Sequence, residues 1–183
     1  MNKKRQQLID TALDLFYLQG IHSVGINEVL KVSGVAKRTL YSHFDSKEAL
    51  IHATLEQRHA NFMHWLELTL SDASSEQQLV SDLFDGLNRW FNGEASELGD
   101  FRGCFFINTS AEFSDVDSDI VKYCSFHKSE VKRLIQSKLT DDNPQLLNAI
   151  CIMKEGAIIT AHMTRKGDEV CQQSKDALRA LCT

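Results

Sequence analysis

The stretch Gly25 to Phe44, GINEVLKVSGVAKRTLYSHF, decides the reading of this chain. It divides into a short segment with one apolar face, a break at Ser33-Gly34-Val35, and a second short segment carrying Lys37, Arg38, Thr39, Tyr41, Ser42 and His43. In the first segment Ile26, Val29 and Leu30 recur at i, i+3 and i+4, the spacing of one helical face. In the second, Leu40 and Phe44 stand one turn apart and point inward. At about 100° per residue, Arg38 and Ser42 then lie nearly opposite that inward face, with Lys37, Tyr41, Thr39 and His43 on its flanks. Two short helices joined by a glycine-containing turn form a helix-turn-helix, whose second helix fits the major groove of DNA. The outward face is cationic and hydroxyl-bearing, which suits phosphate oxygens and base edges.

One local conflict sharpens this. Lys37 and Arg38 fall in the first turn of the second helix, where the helix dipole is already positive and cations are unfavourable. Ala36 ahead of them cannot cap the free N–H groups as Ser or Thr would. Local choices that oppose the fold are expected where function overrides stability, and a polyanion would resolve the conflict.

Residues 8–51 resemble the DNA-binding domain of TetR-family transcriptional regulators. The first helix of that family carries an Ile or Leu, an Ala, a Phe and a closing Gly at fixed spacing, matched here by Leu8, Ala12, Phe16 and Gly20. The family's Ala-Gly-Val turn stands as Ser33-Gly34-Val35, and its recognition-helix signature is complete as Thr39-Leu40-Tyr41-Ser42-His43-Phe44. Ser46-Lys47-Glu48-Ala49-Leu50 continues the match. The resemblance implies that Tyr41 and Lys47 hold the DNA backbone. There are departures: Gly25 stands where a capping Ser or Thr is usual, Leu30 replaces a common Ala, Ala36 a Ser or Thr, and Arg38 a small residue. The last two bear on which operator is read, so base preferences do not transfer from relatives.

Charge supports the same division. The chain has a net charge of −5, yet residues 1–47 hold seven Lys/Arg against four Asp/Glu, net +3, and the remainder thirteen against twenty-one, net −8. A basic reading head on an acidic body is the expectation. The domains are therefore drawn as 1–47 for DNA binding, linked by a long helix over 46–70, and 48–183 for effector binding and dimerisation. Apolar residues at 43% and charged ones at 25% are ordinary for a soluble globular protein. No apolar run approaches the roughly 20 residues that span a bilayer, and the basic start MNKKRQQLID lacks the apolar core of a secretory signal. A cytoplasmic protein without a membrane role is expected. The five cysteines, Cys104, Cys124, Cys151, Cys171 and Cys182, are odd in number and contain no Cys-x-x-Cys pair, which argues for reduced thiols rather than a disulfide framework or a zinc ribbon.

The rest of the chain is helical text, giving an all-α fold of about nine helices. The first runs from about Lys4 to Gln19 with Leu8, Ile9, Ala12, Leu13 and Phe16 as its stripe, preceded by a basic arm of Lys3, Lys4 and Arg5 that either reaches phosphates or is solvated. Ser46 caps the long helix reaching Leu70. Ser75 and Gln78 form a capping box for a helix with Leu79, Leu83, Phe84, Leu87, Trp90 and Phe91 on its apolar face. Residues 92–103 are a loop, Gly103–Phe113 a helix, and Asp117 opens another helix ending near Leu139. Asn143-Pro144 starts a helix to about Arg165, and Asp168 caps the last one, to Cys182. Those two final helices carry more apolar surface than one small body needs, including Ile150, Ile152, Met153, Ile158 and Leu181. A homodimer through residues 144–182, a four-helix interface, is the expectation. The family resemblance implies the same, with two half-sites of a pseudo-palindromic operator read about one helical turn apart.

The body should enclose aromatic residues, Phe84, Trp90, Phe91, Phe105, Phe106, Phe113, Tyr123 and Phe126, which can be core or the wall of a pocket. Cys104, Phe105, Asn108, Glu112, His127 and His162 are the candidate contacts to an unidentified small-molecule effector. Gly103-Cys104 and the residues after it are similar to a segment of TetR relatives that sense electrophiles or oxidants through a cysteine, so a thiol-sensing repressor is an alternative. His52, Glu56 and His59 share one helical face, a pattern that can hold zinc but that long charged helices also produce; no metal or cofactor is expected. There is no phosphate loop, nucleophile elbow or His-Glu-x-x-His, so an enzyme is not expected. A dimeric protein-interaction scaffold is the rival of another class, separable by salt dependence. The DNA-contacting set is then Arg38, Thr39 and Ser42 toward bases, Lys37, Tyr41, His43 and Lys47 toward phosphates, and Gly25 at the cap of the preceding helix. Repression, rather than activation, rests on the resemblance alone.

Overall fold

The computed structural model describes residues 2–139 and 142–182, and among them the secondary structure is entirely α-helical. Nine helices occur in order among these residues: α1 (Lys3–Gln19), α2 (Ile26–Ser33), α3 (Lys37–Tyr41), α4 (Lys47–Thr69), α5 (Glu76–Phe91), α6 (Phe105–Glu112), α7 (Asp119–Lys138), α8 (Pro144–Thr164) and α9 (Gly167–Arg179). The chain forms two compact units. One comprises the chain up to Ala60 together with Phe105–His127, and the other Asn61–Cys104 together with the chain from Lys128 onward.

In the first unit α1 packs on α2 and α3. Leu8, Ile9, Ala12, Leu15 and Phe16 are the buried face of α1. The predicted Leu13 is only half-buried and Leu15 takes its place, because the stripe drifts around the helix at 3.6 residues per turn. Lys3, Lys4 and Arg5 are not an arm ahead of α1. They lie in its first turn, behind the Asn2 cap that accepts from the Lys4 amide, and the Arg5 guanidinium stands 5.1 Å from the Phe44 ring centroid. Gly34 closes α2 in the left-handed region at φ 67°, with its N–H bonded to the Leu30 carbonyl, so the turn requires glycine. Leu40 and Phe44 are buried, as their spacing demands.

Gly25 is the N-cap of α2, extended at φ −89°, with no side chain to receive an orphan N–H. A Cβ built there meets no atom within 4 Å. Gly25→Ser is therefore expected to raise stability by a few tenths of a kcal/mol, visible as a higher urea midpoint. An unchanged or lower midpoint would show that the added hydroxyl does not reach the helix amides.

In the second unit α5 packs against both α8 and α9. Leu79, Val80, Leu83, Phe84, Leu87 and Trp90 are buried along α5, and each large side chain so enclosed contributes about 1.5–3 kcal/mol. Ser75 caps α5 by accepting from the Gln78 amide, and Asn143 caps α8 by accepting from the Leu146 amide, with Pro144 at the first turn. Asp168 does not cap α9. The helix begins at Gly167 behind Lys166, and the Asp168 carboxylate instead accepts from Asn88 and Asn92 at 2.8 and 3.1 Å. A tertiary partner outcompetes the local amide. α9 ends at Arg179 rather than Cys182. α7 opens at Asp119 rather than Asp117, with the Ser118 hydroxyl accepting from the Val121 amide. Phe126, expected inside, is 46% exposed, since Cys124 and His127 occupy the buried face of that helix.

α8, at 21 residues, is apolar and long enough on average to cross a membrane. Its length includes Lys154 and Glu155, which interrupt the apolar run in the linear sequence.

Candidate nucleic-acid interface

α3 is five residues long and, with the turn that follows it, stands on two buried side chains, Leu40 within the helix and Phe44 just beyond it. Lys37, Arg38, Tyr41 and Ser42 are exposed, and Thr39 and His43 are half-buried. Ala36, the N-cap, supplies no side-chain acceptor, so the first amides and the two cations share one end of the helix. The Lys37 ammonium lies 6.0 Å from the Tyr41 ring centroid, which partly screens it while keeping it on the outer face. The Ser42 hydroxyl donates to the Thr39 carbonyl at 2.7 Å, leaving its lone pairs as acceptors.

Lys47, at the start of α4, behaves differently from an exposed phosphate ligand. It is half-buried, and its ammonium donates to the Ile21 carbonyl at 2.7 Å and sits 5.9 Å from the Phe16 ring centroid. Two further N–H groups remain on that nitrogen. Ser46 caps α4 by accepting from the Ala49 amide. Gly25 is exposed at the head of α2.

The six residues expected to meet an effector are divided between the units. Phe105, Asn108, Glu112 and His127 lie in the first, Cys104 and His162 in the second. Phe105 is buried edge-on to Tyr17, with ring centroids 5.8 Å apart. Asn108 is exposed. Glu112 accepts from the backbone N–H groups of Ile21 and His22 at 2.8 and 2.7 Å. His127 is buried, stacked on Phe106 at 3.5 Å, with its Nδ1 3.0 Å from that of His59. His59 therefore turns to His127, while His52 lies 3.4 Å from Glu56. Among the described residues no group of three or more His, Cys, Asp or Glu side chains is placed to hold a metal ion. His162 sits edge-on to Phe101, its Nδ1 buried and without a hydrogen-bond partner among the described residues.

Cys104 has a neighbour that helical periodicity does not reveal. The Lys128 ammonium lies 3.2 Å from its sulfur and donates at 2.7 Å to Glu155, which also pairs with Lys154. Lys154 is 2% exposed. Burial alone would lower the Lys128 pKa, but the Cys104 sulfur and the Glu155 carboxylate beside it outweigh that and hold the ammonium above its ordinary value. Burial works upward on Glu155, and Lys154 and Lys128 hold it below. Among the other thiols, burial pushes Cys171 up to about 12 and raises Cys151 and Cys182. Only the Lys/Glu periodicity of α7 and α8 hints at the partners of Cys104, and such residues usually face solvent.

Two clefts in the second unit lie elsewhere. One of about 210 Å³ is bordered by Trp65, Arg89 and Glu94, the other of about 360 Å³ by Gln78, Lys175 and Arg179.

Comparison with known proteins agrees with this geometry. Residues 8–54 match the model of the tetR family of bacterial regulatory proteins. The chain is 26% identical over 137 residues to the HTH-type transcriptional repressor ComR of Escherichia coli K12, covering 74% of this chain and 63% of that protein. It is 28% identical over 118 residues to the HTH-type transcriptional repressor NemR of the same organism, covering 63% of this chain and 57% of NemR. The matched stretches thus span about 60% of those relatives. In fold, reduced E. coli NemR superposes with a TM-score of 0.83 at 22% identity, covering 100% of this chain and 98% of that one. SCO4454, a TetR-family regulator of Streptomyces coelicolor, gives 0.86 at 22%, covering 97% and 87%. The chain thus carries a tetR-family module at residues 8–54, shares its fold with solved TetR-family regulators, and has transcriptional repressors among its sequence relatives.

Proposed function

We propose that the chain is a homodimeric, effector-responsive repressor that binds a pseudo-palindromic DNA operator in the cytoplasm, with residues 1–47 as its reading head and 48–183 as its effector and dimerisation body. One observation carries the reading: α3 and its C-cap residue present Lys37, Arg38, Tyr41 and Ser42 on an exposed face, with no side-chain cap at the helix start to oppose an approaching anion. The names of the relatives favour repression. Arg38, Thr39 and Ser42 face bases in this proposal, and Lys37, Tyr41, His43 and Lys47 face phosphates.

Two variants test it. Arg38→Ala is expected to relax sequence preference, at a cost of about 1–3 kcal/mol at the contacted base, whereas Lys37→Ala weakens binding to all duplexes alike and lowers the salt slope by about one. Equal loss of specificity in both variants overturns the division of roles. Binding that ignores salt favours a protein-interaction scaffold instead.

The dimer is supported by what α8 leaves uncovered. Ile152, Ile159 and Met163 are 74%, 45% and 78% exposed along one face of that helix, and Leu181 beyond α9 is 40% exposed. A second copy accounts for this stripe better than lipid does. Lys154 and Glu155 stand mid-helix with Lys128 paired to Glu155, and charges at that depth are expensive in a bilayer.

A thiol-sensing variant of the proposal has its own support in the 3.2 Å approach of Lys128 to Cys104. Cys104→Ser is then expected to abolish operator release by quinones or hypochlorite; unchanged release removes the thiol from the mechanism.

A further inference from the structure

Glu112 is the last residue of α6, where the helix dipole is negative and a carboxylate is disfavoured. It nevertheless reaches across 90 residues of sequence to the connector between α1 and α2, where its two oxygens accept from consecutive amides, Ile21 at 2.8 Å and His22 at 2.7 Å. The His22 imidazole lies 3.5 Å from the same carboxylate. Consecutive N–H groups turned to one anion form a nest, and hydrogen bonds to a charged acceptor are the strong kind. The backbone is shaped for this contact. Gly20 holds φ 88°, and a Cβ there would stand 3.2 Å from the nearer Glu112 oxygen.

The other end of the Ile21 residue is held as well. Its carbonyl accepts from the Lys47 ammonium at 2.7 Å, and its side chain is 1% exposed. One residue of the connector is thus fixed by an anion from α6, a cation from α4 and the apolar core, all within the first compact unit. The connector leads directly into α2, and through it to α3.

We propose that Glu112 is a positioning residue for DNA reading. Its carboxylate and the Lys47 ammonium grip Ile21 from opposite sides and fix the angle at which α2 and α3 leave α1. Glu112 touches no DNA in this role, which rests on the DNA-binding reading above. α6 thereby sets the share of molecules whose recognition helix is aimed correctly, and apparent affinity scales with that share.

The test uses the full chain with Glu112→Gln and Glu112→Ala, a duplex selected from a random pool by the unaltered protein, and amide hydrogen exchange at Ile21 and His22. Exchange at those two amides should quicken about tenfold or more in the alanine variant and less in the glutamine one, which keeps an acceptor. Operator Kd should rise about tenfold in the alanine variant, with the salt slope unchanged because no phosphate contact is lost. Electrostatics alone predict the opposite sign, since losing a negative charge favours DNA. Urea unfolding shows whether the alanine chain is folded, and if it is not, the isosteric glutamine variant decides by the same two measurements. Normal exchange, or binding as tight as the unaltered protein's, removes the clamp. An unaltered protein indifferent to every duplex removes the DNA reading itself, and this role with it.

Discussion

Glu155→Ala is expected to lower the stability of the folded chain by about 3–5 kcal/mol, because removing one partner of a buried ion pair leaves the other charge without compensation. Two cations depend on this carboxylate. Lys128 donates to it at 2.7 Å, and Lys154, with a side chain only 3% exposed, pairs with it as well. Lys128, at 30% exposure, recovers water when its partner goes, so the larger share of the loss belongs to Lys154. Glu155→Gln, which keeps an acceptor but not the charge, should cost about half as much. Lys154→Met should be nearly neutral, because it removes a buried charge while Glu155 keeps Lys128. Urea unfolding of the three variants at neutral pH ranks them. A large loss in the methionine variant with little in the alanine one would reverse the assignment of which group is stranded.

The same network sets a pH window. The folded chain holds Glu155 below its ordinary value of 4.5, so its contribution is present above that value and disappears as pH falls through the lowered one. Lys128 is held above its ordinary 10.5, so its contribution is complete below that pH and is lost as pH rises through the raised value. Between the two ordinary values neither Glu155 nor Lys128 changes charge, so the attraction between those two groups is constant. Glu155→Ala should therefore destabilise most on this plateau and least in acid, where the unaltered protein has also lost the charge.

Where an interaction is local, the order of amino acids is enough to find it. Gly34 in the left-handed region, Ser75 and Asn143 as caps, and Leu40 with Phe44 inside all depend on residues within four positions of one another. The exposure of Arg38 and Ser42 comes from the same helical geometry. Partners brought from far along the chain are not legible. A carboxylate on an apolar stretch invites a ligand, so Glu112 reads as an effector contact, whereas its partners are amides 90 and 91 positions earlier. Lys128 and Glu155 look like the solvated face of two helices, and Asp168 goes to Asn88 and Asn92 instead of its own helix end. Phe126 shows the converse: an aromatic residue in an apolar run is exposed because His127 holds the inward position, stacked on Phe106.

The exposed stripe of α8 gives the largest expected change in assembly. Ile152→Glu together with Met163→Glu should convert the protein to monomers at micromolar concentration, read by sedimentation equilibrium, and weaken operator binding about a hundredfold or more. In a two-fold symmetric interface every substitution acts twice, so four carboxylates enter one apolar seam. Facing like charges in such a seam costs several kcal/mol. The isolated chain should tolerate the change, since surface substitutions of this kind alter stability by about 0.5 kcal/mol or less and the two side chains are 74% and 78% exposed. Loss of assembly with the unfolding midpoint preserved therefore separates an interface from a core. On the proposed dimeric reading, DNA affinity falls because each monomer would read one half-site and the gain from tethering the second head would be lost. A double variant that sediments as a dimer would assign the pairing surface to another face and leave the apolar stripe of α8 to a different partner.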